Sequence, residues 1–260
     1  MTAAARVLVV VPTYDERDSL PHALEALARW VPDADVLVVD DASPDGTGEL
    51  AERIAASDAT ERGRRAVHVL HRAGKQGLGT AYVAGFRWGL ERGYDVLVEM
   101  DADGSHRAED LPALLARVPT ADLVIGSRWV RGGRVVNWPL HRQLLSRGAN
   151  VYARVAMGLP VRDSTAGFRA YRAETLAGLA LGEVASHGYC FQIDMAWRVV
   201  LAGGSVVEVP ITFVERAEGR SKMSRAIVGE ALVRVTVWGA RRRWQQLRGL
   251  LRAGSRTAGR

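Results

Sequence analysis

The sequence predicts an α/β fold: a doubly wound, mostly parallel sheet followed by a C-terminal helical or interfacial extension. Short apolar runs rich in Val, Leu and Ile recur at 7–11, 36–39, 66–70, 96–100 and 123–125, and runs of that length and continuity suit strands covered on both faces. Stretches of helical character separate them, and strand–helix alternation builds parallel sheets whose ligands bind beyond the carboxyl ends of the strands. The polar motifs fall at those ends: Pro12-Thr13-Tyr14-Asp15-Glu16 after the first run, Asp40-Asp41-Ala42-Ser43-Pro44-Asp45-Gly46-Thr47 after the second, and Asp101-Ala102-Asp103 after the fourth.

Taken in order, the first run leads into a helix over 19–31, started by Ser19 and Pro21. Helices over 46–57, 77–92 and 108–117 follow the second, third and fourth runs. Residues 58–65, polar and rich in Arg, are expected to leave the domain as a loop. Beyond Ile125 the character changes. Residues 127–142 are rich in Arg, Gly and Trp, and 144–155 and 190–202 are expected as helices around a second substrate. Residues 227–238 are apolar almost all round but carry Glu230 and Arg234, too short and too charged to span a bilayer. We expect one catalytic domain over 1–225 and a membrane-surface or partner-contacting extension over 226–260.

Composition narrows the function classes. A chain of 260 residues, 48% hydrophobic, has enough apolar surface for a large single core. Its one cysteine, Cys190, excludes an internal disulfide and a cysteine-based zinc site, which suits a reducing compartment. Met1–Arg6 lead straight into the first strand and no run approaches the ~18 to 20 apolar residues of a membrane span, so neither a leader nor a spanning helix is expected. The formal charge is +6, yet residues 241–260 hold seven arginines and no acid, which leaves −1 over the first 240. Basicity confined to the tail argues against nucleic acid as a partner. Within that tail Trp244, Leu247 and Leu251 recur at helical spacing among arginines, the pattern of a segment lying on an anionic membrane surface or of a solvated basic end.

Asp101 and Asp103 carry the sharpest chemical signal. On a strand they would point to one side about 6 to 7 Å apart, placed to share one hard divalent cation; Asp-Ala-Asp-Gly is equally a turn sequence. Gly74-Lys75-Gln76-Gly77-Leu78-Gly79 is no P-loop, since Gln76 stands where Ser or Thr must reach the metal. Its role would be close approach by Gly77 and Gly79 and charge from Lys75. Lys75 and Lys222 are the only lysines, both in Gly- or Ser-flanked loops. Of the histidines, His71 reads as strand-end packing and His187 as a loop residue, while His106, close after the Asp pair, merits a test.

In chain order, Pro-Thr-Tyr-x-Glu at 12–16, Val-Asp-Asp-x-Ser-x-Asp-Gly-Thr at 39–47, Lys-x-Gly-Leu-Gly-Thr-Ala-Tyr at 75–82, Asp-Ala-Asp at 101–103 and Gly-Ser-Arg at 126–128 resemble the inverting family 2 glycosyltransferases, and within them the dolichyl- and polyprenyl-phosphate mannose synthases. The likeness continues through 137–139, 146–150, Asp163-Ser164-Thr165-Ala166-Gly167-Phe168-Arg169, 188–194 and 215–223, covering roughly residues 7–225. It implies a GT-A type nucleotide-diphospho-sugar fold. It also implies that Pro12, Tyr14, Glu16, Val39 and Asp41 line the base and ribose of GDP-mannose, with Lys75 and Ala102 beside the donor. Asp101 and Asp103, with Ser105 nearby, would hold Mg²⁺ or Mn²⁺. Arg128, Arg216 and Lys222 would neutralise phosphates, and Arg128, Arg142 and Ser146 would receive the phosphate of a polyprenyl acceptor. Many relatives end in transmembrane helices. This chain departs from them there and resembles members that act peripherally on the cytoplasmic face, with a separate integral-membrane anchor.

The chemistry fits without the name. A lipid phosphate, with its second pKa about 6, is largely dianionic at neutral pH and needs no general base. It needs positioning for in-line attack and a cation against the departing diphosphate. The stretch 213–224, with Gly219, Ser221 and Ser224, is expected to close over the donor. UDP-glucose or another sugar nucleotide is the alternative donor, and a non-catalytic nucleotide-sugar or lipid-binding regulator the alternative class.

Overall fold

The computed structural model describes residues 5–61, 66–184, 189–215, 232–241 and 243–244. All five expected strands form: β1 (Val7–Thr13), β2 (Asp35–Asp40), β3 (Val67–His71), β4 (Val96–Glu99) and β5 (Leu123–Ser127). Four more were not expected: β6 (Arg134–Val136), β7 (Arg169–Arg172), β8 (Val206–Pro210) and β9 (Thr212–Val214). Seven strands make one sheet in the order β3-β2-β1-β4-β7-β5-β8. β7 alone runs antiparallel, inserted between β4 and β5, and the other neighbours are parallel. β6 and β9 form a separate parallel pair. The chain winds outward in one direction through β2 and β3, then returns to place β4 on the far side of β1. This reversal opens a crevice at the carboxyl ends of β1 and β4.

The helices are α1 (Leu20–Trp30), α2 (Thr47–Glu61), α3 (Leu78–Glu91), α4 (Leu111–Leu115), α5 (Leu140–Met157), α6 (Ala173–Gly178) and α7 (Tyr189–Leu201). Strand periodicity sorts the core between the two faces of the sheet. Leu8, Val10, Leu37 and Leu97 pack with Tyr82 and Phe86 of α3, Met157 of α5 and Phe191 of α7. Val9, Val11, Val36 and Val98 pack with Leu20, Leu24 and Leu27 of α1 and Leu111 and Leu114 of α4. Each such side chain, taken fully from water, contributes about 1.5–3 kcal/mol. A glycine in the middle of α3 has a packing reason: a Cβ on Gly85 would stand 2.4 Å from Val10 Cγ1, so only glycine lets α3 lie this close to β1.

Several boundaries differ from expectation. β4 stops at Glu99, so Asp101 and Asp103 sit in a bend rather than on a strand. The 108–117 helix splits into a 3-10 turn at Ala108–Asp110 and α4. α5 starts at Leu140, directly after Pro139 in extended conformation, four residues earlier than expected. The supposed excursion loop at 58–65 is helical through Glu61; 62–65 lie outside the described residues. Of the 227–238 segment, residues 232–238 are helical, as are 239–241 after it, and 227–231 lie outside the described residues. Among the described residues no helix is long and apolar enough to cross a membrane.

Candidate active site

The ends of β1, β2, β4 and β5 open on a cavity of about 420 Å³. Pro12, Tyr14 and Glu16 line it from the β1 end, Asp41 from the β2 end, Lys75 from the loop before α3, and Asp101, Ala102, Asp103 and Ser105 from the β4 end. Arg128 and Arg142 complete the far wall. Val39 is absent from that wall; it is fully buried in the core, because its place in β2 points it under α3. Ser146 does not line the cavity either. It lies one helical turn beyond Arg142 on α5, where its carbonyl accepts from Asn150 Nδ2 at 2.9 Å. Arg216 and Lys222, with most of the 213–224 stretch, lie outside the described residues, as does His187.

On the β1–β2 side, the acidic motif divides its labour. Asp40 and Asp45 brace the loops: Asp40 accepts from Thr13 Oγ1, Ser43 N and Ser43 Oγ, and Asp45 from Arg17 N and from Thr47 N and Oγ1. Only Asp41 turns to the cavity. Burial pushes its carboxyl upward, opposed by Arg72, whose Nη1 donates to Asp41 Oδ1 at 2.7 Å. Lys75 Nζ lies 3.6 Å above the Tyr14 ring, a cation–π contact joining two of the residues expected at the nucleotide. Gly79 serves the core instead of a ligand: a Cβ there would meet the Phe191 ring at 2.7 Å. His71 is not packing; it is exposed at the strand end and hydrogen-bonds Glu52 at 3.0 Å.

At the β4 end, the bend is held from below. Tyr82, fully buried, donates its hydroxyl to Asp101 Oδ1 at 2.8 Å. Burial and then the Asp101 charge push that phenol well above its usual range, so it stays a donor. The Asp101 N–H donates to His106 Nδ1 at 3.1 Å, and the Ser105 N–H donates to Asp103 Oδ1 at 2.9 Å. His106 is buried and stacks on Phe168, so it positions Asp101. Among the described residues no group of three or more His, Cys, Asp or Glu side chains is gathered as metal ligands. A divalent cation nevertheless fits. Asp101 and Asp103 are hard oxygen donors lining a cavity that also holds Glu16 and Glu215, and a diphosphate entering beside these carboxylates would be repelled unless a cation reversed the local sign.

Deeper still, Glu99 is fully buried and accepts from Gln192 Nε2 at 2.7 Å. Burial raises its pKa to about 7, against the pull of Arg169. Arg169, also fully buried, donates to the carbonyls of Ala166, Gln192 and Ser164, tying β7 to the segments that line the far wall.

Two arginines face the cavity from that wall in different states. Arg128 is buried and clasped by the fully buried Asp163, which is itself fixed by the Glu208 carboxylate accepting from its N–H at 2.9 Å. The Arg128 guanidinium sits 5.4 Å from the ring centres of both Trp138 and Phe213. Arg142 stacks on Trp138 at 4.2 Å and forms an ion pair with Glu215. The sequence reading assigned no role to Tyr82, Arg72, Asp163, Trp138 or Glu215. Tyr82, Trp138, Asp163 and Glu215 nevertheless lie within the motif stretches that carry the family resemblance, and only Arg72 lies outside them.

A Glycosyl transferase family 2 domain matches residues 8–179. The chain belongs to this family. It is 59% identical over 246 residues to the undecaprenyl-phosphate mannosyltransferase of Micrococcus luteus, covering 95% of this chain and 99% of that protein. It is 54% identical to the polyprenol monophosphomannose synthase of Mycolicibacterium smegmatis, covering 95% of this chain and 92% of that one. At the level of fold it is similar to glucosyl-3-phosphoglycerate synthase from Mycobacterium tuberculosis in complex with Mn²⁺ and UDP-glucose, with a TM-score of 0.62 at 18% identity over 91% of this chain and 78% of that one. It is also similar to the mannosyltransferase PcManGT from Pyrobaculum calidifontis in complex with GDP-Man and Mn²⁺, with a TM-score of 0.56 at 20% identity over 85% and 59% of the two chains. This family 2 glycosyltransferase therefore has the GT-A type fold that its motifs imply.

Proposed function

We propose that this family 2 enzyme transfers mannose from GDP-mannose to a polyprenyl monophosphate with inversion, giving a lipid-linked mannose donor. The observation that carries this reading is the single cavity that joins a carboxylate pair on one wall to two arginines on the other, in a chain 59% identical to an undecaprenyl-phosphate mannosyltransferase. Pro12, Tyr14, Glu16 and Asp41 would hold the nucleoside, with Lys75 over its phosphates. Asp101 and Asp103, with Ser105 bracing the second of them, would hold Mg²⁺ or Mn²⁺, which supplies positive charge against the departing diphosphate. Arg128 and Arg142 orient the acceptor phosphate, and Arg216 and Lys222 add charge to balance roughly four negative charges brought together by two phosphorylated substrates. Cavity side chains contribute alignment rather than proton transfer, because the nucleophile arrives ionised.

A membrane-surface position on the cytoplasmic face goes with this reading. Leu140, Leu144, Val151 and Val155 are exposed along one face of α5, at helical spacing. Next to it, in the helical residues 232–241 and 243–244, Val233, Val237 and Trp244 are exposed too. The two segments touch through Tyr152 and Thr236 and through Arg243, which donates to the Val155 carbonyl. Arg147, Arg154 and Arg241 flank the apolar surface. Apolar residues bordered by arginines suit an anionic bilayer surface, and Arg142 in the first turns of α5 puts the phosphate site beside it. Residues 226–260 would extend this contact, alone or with a separate anchor subunit.

Incubating the purified protein with radiolabelled GDP-mannose, Mg²⁺ and a panel of prenyl phosphates tests the reading. Label should pass to a lipid product with release of GDP. Transfer from UDP-glucose alone would reassign the donor, and nucleotide binding without any transfer would leave a regulator.

A further inference from the structure

The two arginines of the acceptor wall are neutralised in different ways. Arg128 is locked: it and Asp163 have side-chain exposures of 5% and 0%. Arg142 and Glu215 form their pair at 18% and 30%, open to the cavity that both line. Glu215 is held there by its backbone. Its N–H donates to the Val136 carbonyl at 3.1 Å, continuing the β6–β9 ladder, and the preceding Val214 N–H donates to the carbonyl of Ser105 beside the Asp pair at 3.2 Å. Arg142, for its part, has its guanidinium carbon over the Trp138 ring, 4.2 Å from its centre. A cation aimed into a phosphate-binding cavity thus already has an anionic oxygen ligand, supplied by an accessible carboxylate just beyond β9 whose backbone is hydrogen-bonded on both sides.

We infer that Glu215 is a displaceable stand-in for the acceptor phosphate, occupying Arg142 until a phosphate dianion takes its place, and that it thereby sets the acceptor's required charge. The inference rests on the reading of Arg142 as an acceptor-phosphate ligand. At equal distance a dianion attracts a guanidinium about twice as strongly as a carboxylate does. A monoanion gains nothing by the exchange. Phosphodiesters and protonated phosphomonoesters are therefore turned away at Arg142, and displaced Glu215 repels any second anion from the same place.

The test uses the full-length enzyme with farnesyl phosphate as acceptor. Glu215→Gln should lower the KM for farnesyl phosphate about fivefold while the KM for GDP-mannose stays unchanged. Below pH about 6, where the acceptor becomes a monoanion, the variant should keep acceptor affinity that the native enzyme loses. Arg142→Gln in the same chain should cancel the gain. Glu215→Asp, one methylene shorter and so holding Arg142 less closely, should act in the same direction with a smaller gain. An unchanged or raised acceptor KM overturns the inference, as does a gain that survives Arg142→Gln. Failure of both Glu215 variants to fold would make the pair a structural strut and overturn it too. If the native enzyme transfers sugar to no prenyl phosphate, the functional reading fails separately. Calorimetry with inorganic phosphate then still decides the role of Glu215: tighter binding by Glu215→Gln supports it, and equal binding refutes it.

Discussion

Asp163 grips Arg128 at two points, Oδ2 at 2.8 Å from Nε and Oδ1 at 2.6 Å from Nη2, with Asp163 fully buried and Arg128 open only where it meets the cavity. Thr165 and Asn150 close around them: Arg128 Nη2 donates to Thr165 Oγ1 at 2.9 Å and Asn150 Nδ2 to the same oxygen at 3.2 Å. The guanidinium is thus held in one orientation, and the protein supplies the counter-charge that lets it be buried.

Asp163→Ala should therefore cost stability as well as activity. Breaking a buried pair from one side leaves an uncompensated charge, worth about 3–5 kcal/mol. Urea denaturation should show that loss, with the acceptor KM rising in whatever folded protein remains. A stability change under about 1 kcal/mol would mean that water reaches Arg128 and the clasp is not structural.

Asp103→Ala should reduce turnover at least about a hundredfold, the scale for removing a group that stabilises developing charge. EDTA should abolish turnover in the native enzyme, and Mg²⁺ or Mn²⁺ should restore it. Release of GDP, followed at increasing metal, reads both effects. Normal metal-dependent rates in Asp103→Ala would remove Asp103 from the metal site.

Much of this site was legible in the sequence because its residues cluster just beyond strand ends, and strands buried on both faces announce themselves as continuous β-branched runs. β7 was not legible. Arg169-Ala170-Tyr171-Arg172 reads as surface, and only the three carbonyls around Arg169 explain how a guanidinium can be buried there. Nor could the order of β4, β7 and β5 be read, since it depends on pairing across distant segments. Among the acids at 40–45 only Asp41 was assigned to the site, and it alone of them lines the cavity; the bracing roles of Asp40 and Asp45 were not legible, because Asp bonded locally in turns looks the same in sequence as Asp aimed at a substrate. The partners of Arg128 and Arg142 lie 35 and 73 residues away, beyond any local pattern.

Glu99 gives the chain a pH-dependent weakness. Its folded pKa of about 7 stands above the ordinary 4.5, so the folded state holds a proton that the unfolded state has released. Stability from this group is fully present below pH 4.5 and falls as pH rises to about 7, by about 3 kcal/mol in all. Glu99→Gln keeps an acceptor for Gln192 without the titration. The difference in urea stability between native protein and variant should therefore widen in the variant's favour from pH 5 to 8. A difference that stays constant with pH would show that Glu99 ionises as readily folded as unfolded.

Gly85→Ala should destabilise by about 1–3 kcal/mol, although alanine is the better helix former by about 1 kcal/mol. The reason is that its methyl would need the place of Val10 Cγ1, 2.4 Å away, in a strand whose side chains are fully buried on both faces. The midpoint of urea unfolding measures this. A stabilised variant would mean that β1 and α3 can part without cost.

The exposed face of α5 makes the last prediction separable from catalysis. Leu144 and Val155 are 61% and 63% exposed, so replacing both with glutamate removes no core contact and should change urea stability by less than about 0.5 kcal/mol. Binding to vesicles rich in anionic lipid should nevertheless fall sharply, because two charges would enter the apolar contact and repel the lipid head groups. Affinity for GDP should hold, since neither residue lines the cavity. Turnover should drop on acceptor presented in vesicles and persist on farnesyl phosphate in solution. That split distinguishes a surface that delivers the lipid from one that shapes the site: equal losses on both acceptors would mean that the Leu144 and Val155 face of α5 shapes the cavity, and retained vesicle binding would move the membrane contact to another part of the chain.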